Sequence, residues 1–305
     1  YTYTAGGTFP VTLTVTAIDG VTTNSVTIPV TVEAAPTIAP FSTLPAPVFT
    51  LAGPAGGVYS VAYNPSFSLL AAGNDDGTVT IWNMGSQSPI QTLAAQTDTI
   101  TAVSWSPDGS RLVSSSMDGT VVVFETAGWT PVVTIPLSAS ATAAAFSPNG
   151  TTIATAALDG SVQFWDGAGT LLNGVTALDE VYWLAWRPDS SQLAYTGREA
   201  TVTILDAASA TVVLAIPLSD EGTSVVWNAT GGQILAGTSN GAAVYDSGSG
   251  SQLFVINDAS GTTTLAAAWS PAGDRIAVGT ADVGVLLVDA FGGALLDNLP
   301  AAGAV

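Results

Sequence analysis

The feature that most constrains this chain is a repeat of about 40 residues running from Val48 nearly to the C-terminus. A period of that length points to a propeller or a solenoid, because one such unit cannot bury its apolar face alone and must stack on its neighbours. The clearest unit is residues 101–126, TAVSWSPDGSRLVSSSMDGTVVVFET. It reads as three short strands. Thr101–Trp105 and Arg111–Ser116 are joined by the turn Ser106-Pro107-Asp108-Gly109, and Thr120–Glu125 follows through Asp118-Gly119. Apolar and polar residues alternate along each run, as half-buried strands require. Asp-Gly between two such runs marks a tight turn, since its centre needs positive φ.

The third strand of the unit recurs with ends at Trp82, Phe124, Trp165, Leu205, Tyr245 and Val288, which are 42, 41, 40, 40 and 43 residues apart. Before each lies a first strand ending in an aromatic: Tyr63, Trp105, Phe146, Trp186, Trp227 and Trp269. Fourth strands follow, as in Pro131–Ile135, Val212–Ile216 and Gln252–Ile256. This arrangement resembles the WD-repeat family of β-propellers. Trp165-Asp166 is the family's dipeptide, and Leu205-Asp206, Tyr245-Asp246 and Val288-Asp289 keep its Asp. The resemblance covers Val48 to about Leu299 and implies an all-β propeller of four-stranded blades. It departs from the family in one respect. With no His in the chain, the family's buried His-Ser/Thr-Asp-Trp network is expected to be absent, leaving Asp76, Asp118 and Asp159 as turn residues only.

Six units of first, second and third strands stand against seven candidate fourth strands, from Val48–Leu51 to Ala294–Asp297. Six blades are expected, with seven as the alternative. The resemblance implies that the N-terminal fourth strand closes the last blade.

Ahead of the repeat, Tyr1–Glu33 is a separate β unit. Thr8–Thr16 and Val21–Val32 alternate Val, Ile or Leu with Thr, as two antiparallel strands should. YTYTAGGTFPVTLTVTAIDG resembles the last strands of a PKD-type domain, an immunoglobulin-like sandwich common on secreted proteins. Two or three strands do not make a stable domain, so this partial sandwich is expected to be completed by upstream sequence or by another chain. Residues 34–47, AAPTIAPFSTLPAP, read as a Pro/Ala-rich linker.

Composition narrows the chemistry. The net charge is −19, the four cations are Arg111, Arg187, Arg198 and Arg275, and Lys, His and Cys do not occur. So acidic a chain repels phosphate backbones, which argues against nucleic-acid binding. Without His or Cys there is no Ser-His-Asp triad, thiolate nucleophile or Cys/His zinc site. No apolar run is long enough for a bilayer-spanning helix. No basic-then-apolar leader opens the sequence, so it is expected to begin after any signal peptide or to be a fragment.

Carboxylates remain. In the geometry the resemblance implies, one rim carries Asp75, Asp76, Asp98, Asp118, Asp159, Asp179, Glu180, Glu199, Asp220, Glu221, Asp258 and Asp282, 12 of the chain's 23 acids. Asp75, Asp76, Asp118 and Asp159 are candidate Ca²⁺ ligands. Asp179, Glu180, Asp220, Glu221, Asp258 and Asp282 form an acidic rim suited to a cationic partner. The plainer reading of each Asp is turn chemistry, and no segment has the Asp-x-Asp-x-Asp-Gly pattern of a calcium loop. A glycosidase-type pair is conceivable among Asp179, Glu180, Asp220 and Glu221, with Tyr182 and Trp183 stacking on a sugar. The plainer expectation is that those aromatics pack between blades. Asn149-Gly150-Thr151 and Asn228-Ala229-Thr230 are sequons on turns.

The expected function is that of an extracellular, non-enzymatic scaffold without cofactor. It would hold protein partners, copies of itself among them, through strand addition or propeller faces. A monomeric binding module with an acidic rim is the alternative, and a carboxylate-based glycan hydrolase ranks third.

Overall fold

A computed structural model of the protein describes residues 7–16, 23–32, 57–256 and 262–299. The chain divides into two compact units, Tyr1–Leu44 and Pro45–Val305. In the first, β1 (Gly7–Thr16) pairs antiparallel with β2 (Thr23–Val32), with Gly7 opposite Val32 and Thr16 opposite Thr23. The expected linker 34–47, the candidate strand Val48–Leu51 and Asp258 lie outside the described residues.

The second unit holds six four-stranded antiparallel sheets, the blades of a propeller. Blade 1 is β3 (Val58–Tyr63), β4 (Leu69–Asn74), β5 (Val79–Asn83) and β6 (Ser88–Leu93). Blade 2 is β7 (Ile100–Trp105), β8 (Arg111–Ser116), β9 (Thr120–Glu125) and β10 (Thr130–Pro136). Blade 3 is β11 (Ala141–Phe146), β12 (Thr152–Ala157), β13 (Ser161–Asp166) and β14 (Leu171–Thr176). Blade 4 is β15 (Val181–Trp186), β16 (Gln192–Gly197), β17 (Thr201–Asp206) and β18 (Val212–Pro217). Blade 5 is β19 (Gly222–Trp227), β20 (Gln233–Thr238), β21 (Gly241–Asp246) and β22 (Gln252–Ile256). Blade 6 is β23 (Thr264–Trp269), β24 (Arg275–Thr280), β25 (Val285–Asp289) and β26 (Leu295–Leu299). Six blades therefore stand, as the repeat count favours.

One local device recurs in every blade. The second residue of each first strand (Tyr59, Thr101, Thr142, Tyr182, Thr223, Leu265) is skipped in the ladder to the second strand. Such bulges bend the strand and re-aim the extra side chain. In blades 2 and 3 that side chain is a threonine serving the next blade. Thr101 Oγ1 donates to the Ala141 carbonyl at 2.9 Å, and Thr142 Oγ1 to that of Val181 at 2.7 Å.

In blades 2, 4 and 5 the aromatic that ends the first strand reaches the other way. Trp105 Nε1 donates to the Ala62 carbonyl of the preceding blade at 2.9 Å, Trp186 to Ala145 at 3.1 Å, and Trp227 to Ala185 at 3.0 Å. The indole thus buries apolar area while its single donor is satisfied. The turns behave as their residues require. Gly119 sits at φ +83°, where a Cβ is disfavoured, and in blade 4 Ser190 accepts a φ of +64° at the position Gly109 fills in blade 2.

Blades are held face to face by five apolar cores. Ile81 and Val79 meet Val103 and Trp105 between blades 1 and 2. Val123 and Ile135 meet Phe146 between blades 2 and 3. Phe164 meets Leu184 between 3 and 4, Ile204 meets Trp227 between 4 and 5, and Val244 meets Val278 between 5 and 6. Each fully buried side chain of this size stabilises the fold by roughly 1.5–3 kcal/mol over an exposed one. Among the described residues, no sixth core joins blade 6 back to blade 1.

The closure implied by the resemblance is not what the last blade shows. Among the described residues all six sheets of this unit consist of four consecutive strands, and the fourth strand of blade 6 is β26. The reason is local. Asp289 Oδ1 accepts from the Phe291 and Gly292 amides, both at 3.0 Å, and this capped turn returns the chain so that Leu299 lies opposite Val285.

Candidate functional site

Two sets of connections end the blades. The loops between fourth and first strands meet the turns between second and third strands on one rim, tied by bonds such as Met117 N to Thr99 O at 2.9 Å and Arg198 N to Glu180 O at 3.0 Å. The other turns form the second rim, tied for example by Thr126 N to Ser110 O at 2.9 Å.

On the first rim the candidate metal residues accept from backbone amides and from Ser and Thr hydroxyls. Asp75 Oδ2 accepts from Gly57 N at 2.8 Å. Asp76 Oδ1 accepts from the Thr78 amide at 2.9 Å and its hydroxyl at 2.6 Å, which holds the carboxyl below the usual range. Burial opposes ionisation of Asp118, but donors from Thr120 and Thr97 outweigh it and lower its pKa. At Asp159 burial is likewise outweighed, by Ser138 and Ser161. Asp75 and Asp76 are neighbours, whereas Asp118 and Asp159 belong to other blades. Among the described residues no three carboxylates gather to hold a metal ion.

These bonds correct one expectation. The Asp residues are more than turn formers, because Asp118 and Asp159 also tie the loop entering their own blade, through Thr97 and Ser138. Pieces of the buried network survive too. Gln96 is buried in the blade 2 loop and donates to the Thr120 carbonyl at 2.9 Å, while Ser114 Oγ donates to its Oε1. In blade 3, Trp165 Nε1 donates to Thr155 Oγ1 at 3.0 Å. An amide can accept and donate at once, as a neutral imidazole does, so Gln96 can bridge strand and turn without His. The sequence signal for it was a lone Gln in a Thr/Asp loop, which is weak.

The acidic-rim residues of blade 4 form one cluster. Arg198 lies 3.6 Å from Glu180 and 4.0 Å from Asp179. Tyr182 donates its hydroxyl to Glu180 Oε2 at 2.8 Å. Burial, then the Glu180 hydrogen bond and the charges of Glu180 and Glu221, push the Tyr182 phenol up to about 12. Leu178, in the same loop, is 92% exposed. It escaped the sequence reading because an apolar residue in a short loop looks like the end of a strand. Asp220 Oδ1 caps Glu221 N at 2.8 Å in the next blade, and Asp282 is exposed on blade 6.

Trp183 departs from expectation. It does not pack between blades but is 38% exposed and lines a cavity of about 420 Å³ with Tyr59, Val61, Ala102, Ala144 and Ala266, all from first strands. The bulge at Tyr182 sets the phase of β15 so that Trp186 takes the inter-blade place, edge-on to Phe164 at 5.6 Å.

The second rim is acidic as well, with Asp108, Glu125, Asp166, Asp189, Asp206, Asp246, Asp274 and Asp289, but it carries Arg111, Arg187 and Arg275. The first rim has only Arg198 against eleven described acids. Both sequons lie on second-rim turns. Asn149 is exposed, whereas Asn228 is half-buried with its Nδ2 donating to Gln233 at 3.2 Å.

The segments 45–83, 87–125 and 129–166 match the family described as WD domain, G-beta repeat. They take in the first three strands of blades 1, 2 and 3. No curated protein matches the chain.

Proposed function

We propose that this protein is a scaffold that holds protein partners, copies of itself among them, outside the cell and without chemistry of its own. WD repeats on a six-bladed propeller favour an interaction scaffold. The observation that carries the reading is the blade 4 surface. There an exposed Leu178 stands in the loop of the Asp179–Glu180–Arg198 cluster, and a part-exposed Trp183 follows in β15. An apolar and aromatic anchor ringed by charge is the composition of a protein-binding hot spot. Asp75, Asp118 and Asp159 of the first rim are engaged in holding loops, which suits a rigid frame. The extracellular placement is supported by the PKD-like resemblance of the first 20 residues and by the exposed sequon at Asn149.

Light scattering and negative-stain microscopy of the purified chain, with and without Ca²⁺, test this reading. A regular assembly, or capture of a partner that Leu178→Ala and Trp183→Ala both weaken, is the expected result. A monomer under all conditions, with binding untouched by either substitution, would overturn it.

A second reading rests on the charge difference between the rims. Eleven described acids facing one arginine on the first rim favour a cationic ligand or Ca²⁺. Binding that collapses as salt rises through the screening range, or a calcium-dependent rise in Tm, would distinguish it. Glu180, which accepts from Tyr182 just before Trp183 in the chain, keeps glycan hydrolysis as a third reading, tested by polysaccharide turnover and its loss in Glu180→Gln.

A further inference from the structure

The turn between first and second strands is built alike in blades 2 and 4, and one difference between them opens a cavity. In blade 4 the turn is Arg187-Pro188-Asp189-Ser190, and in blade 2 it is Ser106-Pro107-Asp108-Gly109. Arg187 fills the groove between blades 4 and 5. Its guanidinium lies 5.6 Å over the Trp227 ring, with Nε 3.4 Å from Asp189 and Nη1 3.1 Å from Gln192 Oε1. A Cβ built on Gly231 of blade 5 would stand 2.7 Å from Arg187 Nε, so that groove is full.

Between blades 2 and 3 the corresponding residues are Ser106, Asp108, Arg111, Phe146 and Gly150. Serine is too short to fill the groove, and its hydroxyl is bonded to Asp108 Oδ1 and the Arg111 carbonyl. What remains is a cavity of about 310 Å³ lined by Ser106, Asp108, Ser110, Arg111, Phe146 and Asn149. That volume falls at the small end of the range of about 300–1,000 Å³ in which small-molecule sites lie.

Three of the lining groups keep hydrogen-bonding capacity. Alone among the four arginines, Arg111 has no ion-pair partner among the described residues. Its Nη1 donates to the Gly167 carbonyl at 2.7 Å, which anchors the guanidinium and leaves Nε and Nη2 as donors. Asn149 Oδ1 is taken up by Ser147 and by the Thr151 amide and hydroxyl, so its Nδ2 is the donor left over. Asp108 Oδ1 accepts three bonds from Ser106 and Ser110, whereas Oδ2 accepts one, from the Ser110 hydroxyl at 2.8 Å.

One carboxylate and one guanidinium, not paired with each other, make this cavity neutral. A cation entering it would meet Arg111, and an anion would meet Asp108. A neutral polyol meets neither penalty, because a hydroxyl donates and accepts at once. We propose that the cavity binds a neutral saccharide unit, Asp108 Oδ2 accepting from its hydroxyls and Arg111 and Asn149 donating to them. The lining part of Phe146 is an apolar patch for the C–H face of the ring. The site lies on the second rim, away from Leu178 and Asp179, so it adds a ligand to the scaffold reading without resting on it. Free sugars and the units of a longer glycan share this chemistry.

Calorimetry and saturation-transfer NMR on the full chain, produced without glycosylation so that Asn149 Nδ2 stays free, test the proposal. The probes are neutral monosaccharides, neutral oligosaccharides, glycine, inorganic phosphate and guanidinium. Saccharide binding that does not weaken as salt rises is expected, since a neutral ligand has no charge to screen. Asp108→Asn keeps a turn residue that blade 3 uses, and Arg111→Gln brings in the residue that blades 4 and 5 carry there. Each should weaken binding about tenfold or more, because each removes a hydrogen bond to a charged group. Ser106→Arg combined with Arg111→Gln copies blade 4, fills the groove and should abolish binding. Affinity that rises with oligosaccharide length identifies a glycan chain as the ligand, and affinity independent of length identifies a single sugar. Saccharide binding unchanged in these variants overturns the proposal, as does binding of glycine, phosphate or guanidinium alone, or of no probe at all. Should the double variant fail to fold, the two single variants decide.

Discussion

Blade 1 and blade 2 open with nearly the same strand. Val58-Tyr-Ser-Val-Ala-Tyr63 and Ile100-Thr-Ala-Val-Ser-Trp105 share length, alternation, the bulge at the second residue and the aromatic end. Yet Val103 and Trp105 are buried, while Val61 and Tyr63 stand in solvent. The difference lies in the neighbour, because β7 packs on the blade before it, whereas among the described residues no core joins β3 to blade 6. The alternation of side chains makes each a strand, but the hydrophobic gain comes only with the area actually covered. The same sequence pattern is therefore a core in one place and a free face in another.

The sharpest way to break this comparison is to truncate equivalent residues on the trailing faces of blades 1 and 6. Ile81→Ala should lower the unfolding free energy by about 2–5 kcal/mol, as a buried large-to-small change does. Leu287→Ala, at the same place in blade 6, should cost less than about 1 kcal/mol in dilute monomer. Denaturant titration of both variants measures the gap, and equal costs would mean that the blade 6 flank is covered in solution.

Adding a methyl group probes the same two blades from the other side. Gly73→Ala drives a Cβ against Ile100 and should cost about 1–3 kcal/mol, whereas Gly279→Ala should be neutral or stabilise by up to about 1 kcal/mol by restricting the unfolded chain. Thermal melts decide between these signs. The indole bonds give a smaller contrast. Trp227→Phe removes the bond to Ala185 and should cost about 1 kcal/mol. The buried Trp269 Nε1 has no partner among the described residues, so Trp269→Phe should cost close to nothing. A large loss in Trp269→Phe would show that its nitrogen does find a partner in solution.

The smallest effect belongs to a turn whose bonds are local and independent of any neighbour. Donors from Ser106 and Ser110 hold the Asp108 carboxyl at about 2. Because that value lies below the unfolded one of about 3.9, the turn's contribution is present above pH ~4 and is lost as pH falls toward 2. Asp108→Asn copies Asn149, which fills the same place in blade 3 and accepts from Ser147 and Thr151. The variant should match the parent near neutral pH and lose less stability between pH 4 and 2. An unchanged acid slope would mean that the Asp108 bonds do not persist in solution.

Much of the fold was legible because its signals are local. The Ser-Pro-Asp-Gly and Asp-Gly turns, the period of about 40 and the aromatic at the end of each first strand name the strands almost to the residue. The site was less legible. Trp183 and Trp186 are three residues apart in one strand, and only the bulge at Tyr182 decides which enters the cavity and which packs on Phe164. Asp118 could be read as a turn residue, but its second oxygen, bonded to Thr97, depends on a loop 21 residues away. Gln96 had no motif to announce it.

By itself the sequence determined that this chain makes β-blades and that neither His, Cys nor Lys takes part in whatever it does, while it favoured six blades with seven as the alternative. Those properties follow from residue type and spacing along the chain. Only the tertiary structure decided the blade count, how the acids divide between two rims, and that Val103 and Trp105 of blade 2 are buried while Val61 and Tyr63 of blade 1 are exposed. Alternation fixes which way a side chain points from its strand. Whether anything stands opposite depends on residues some 40 positions away, or on another molecule.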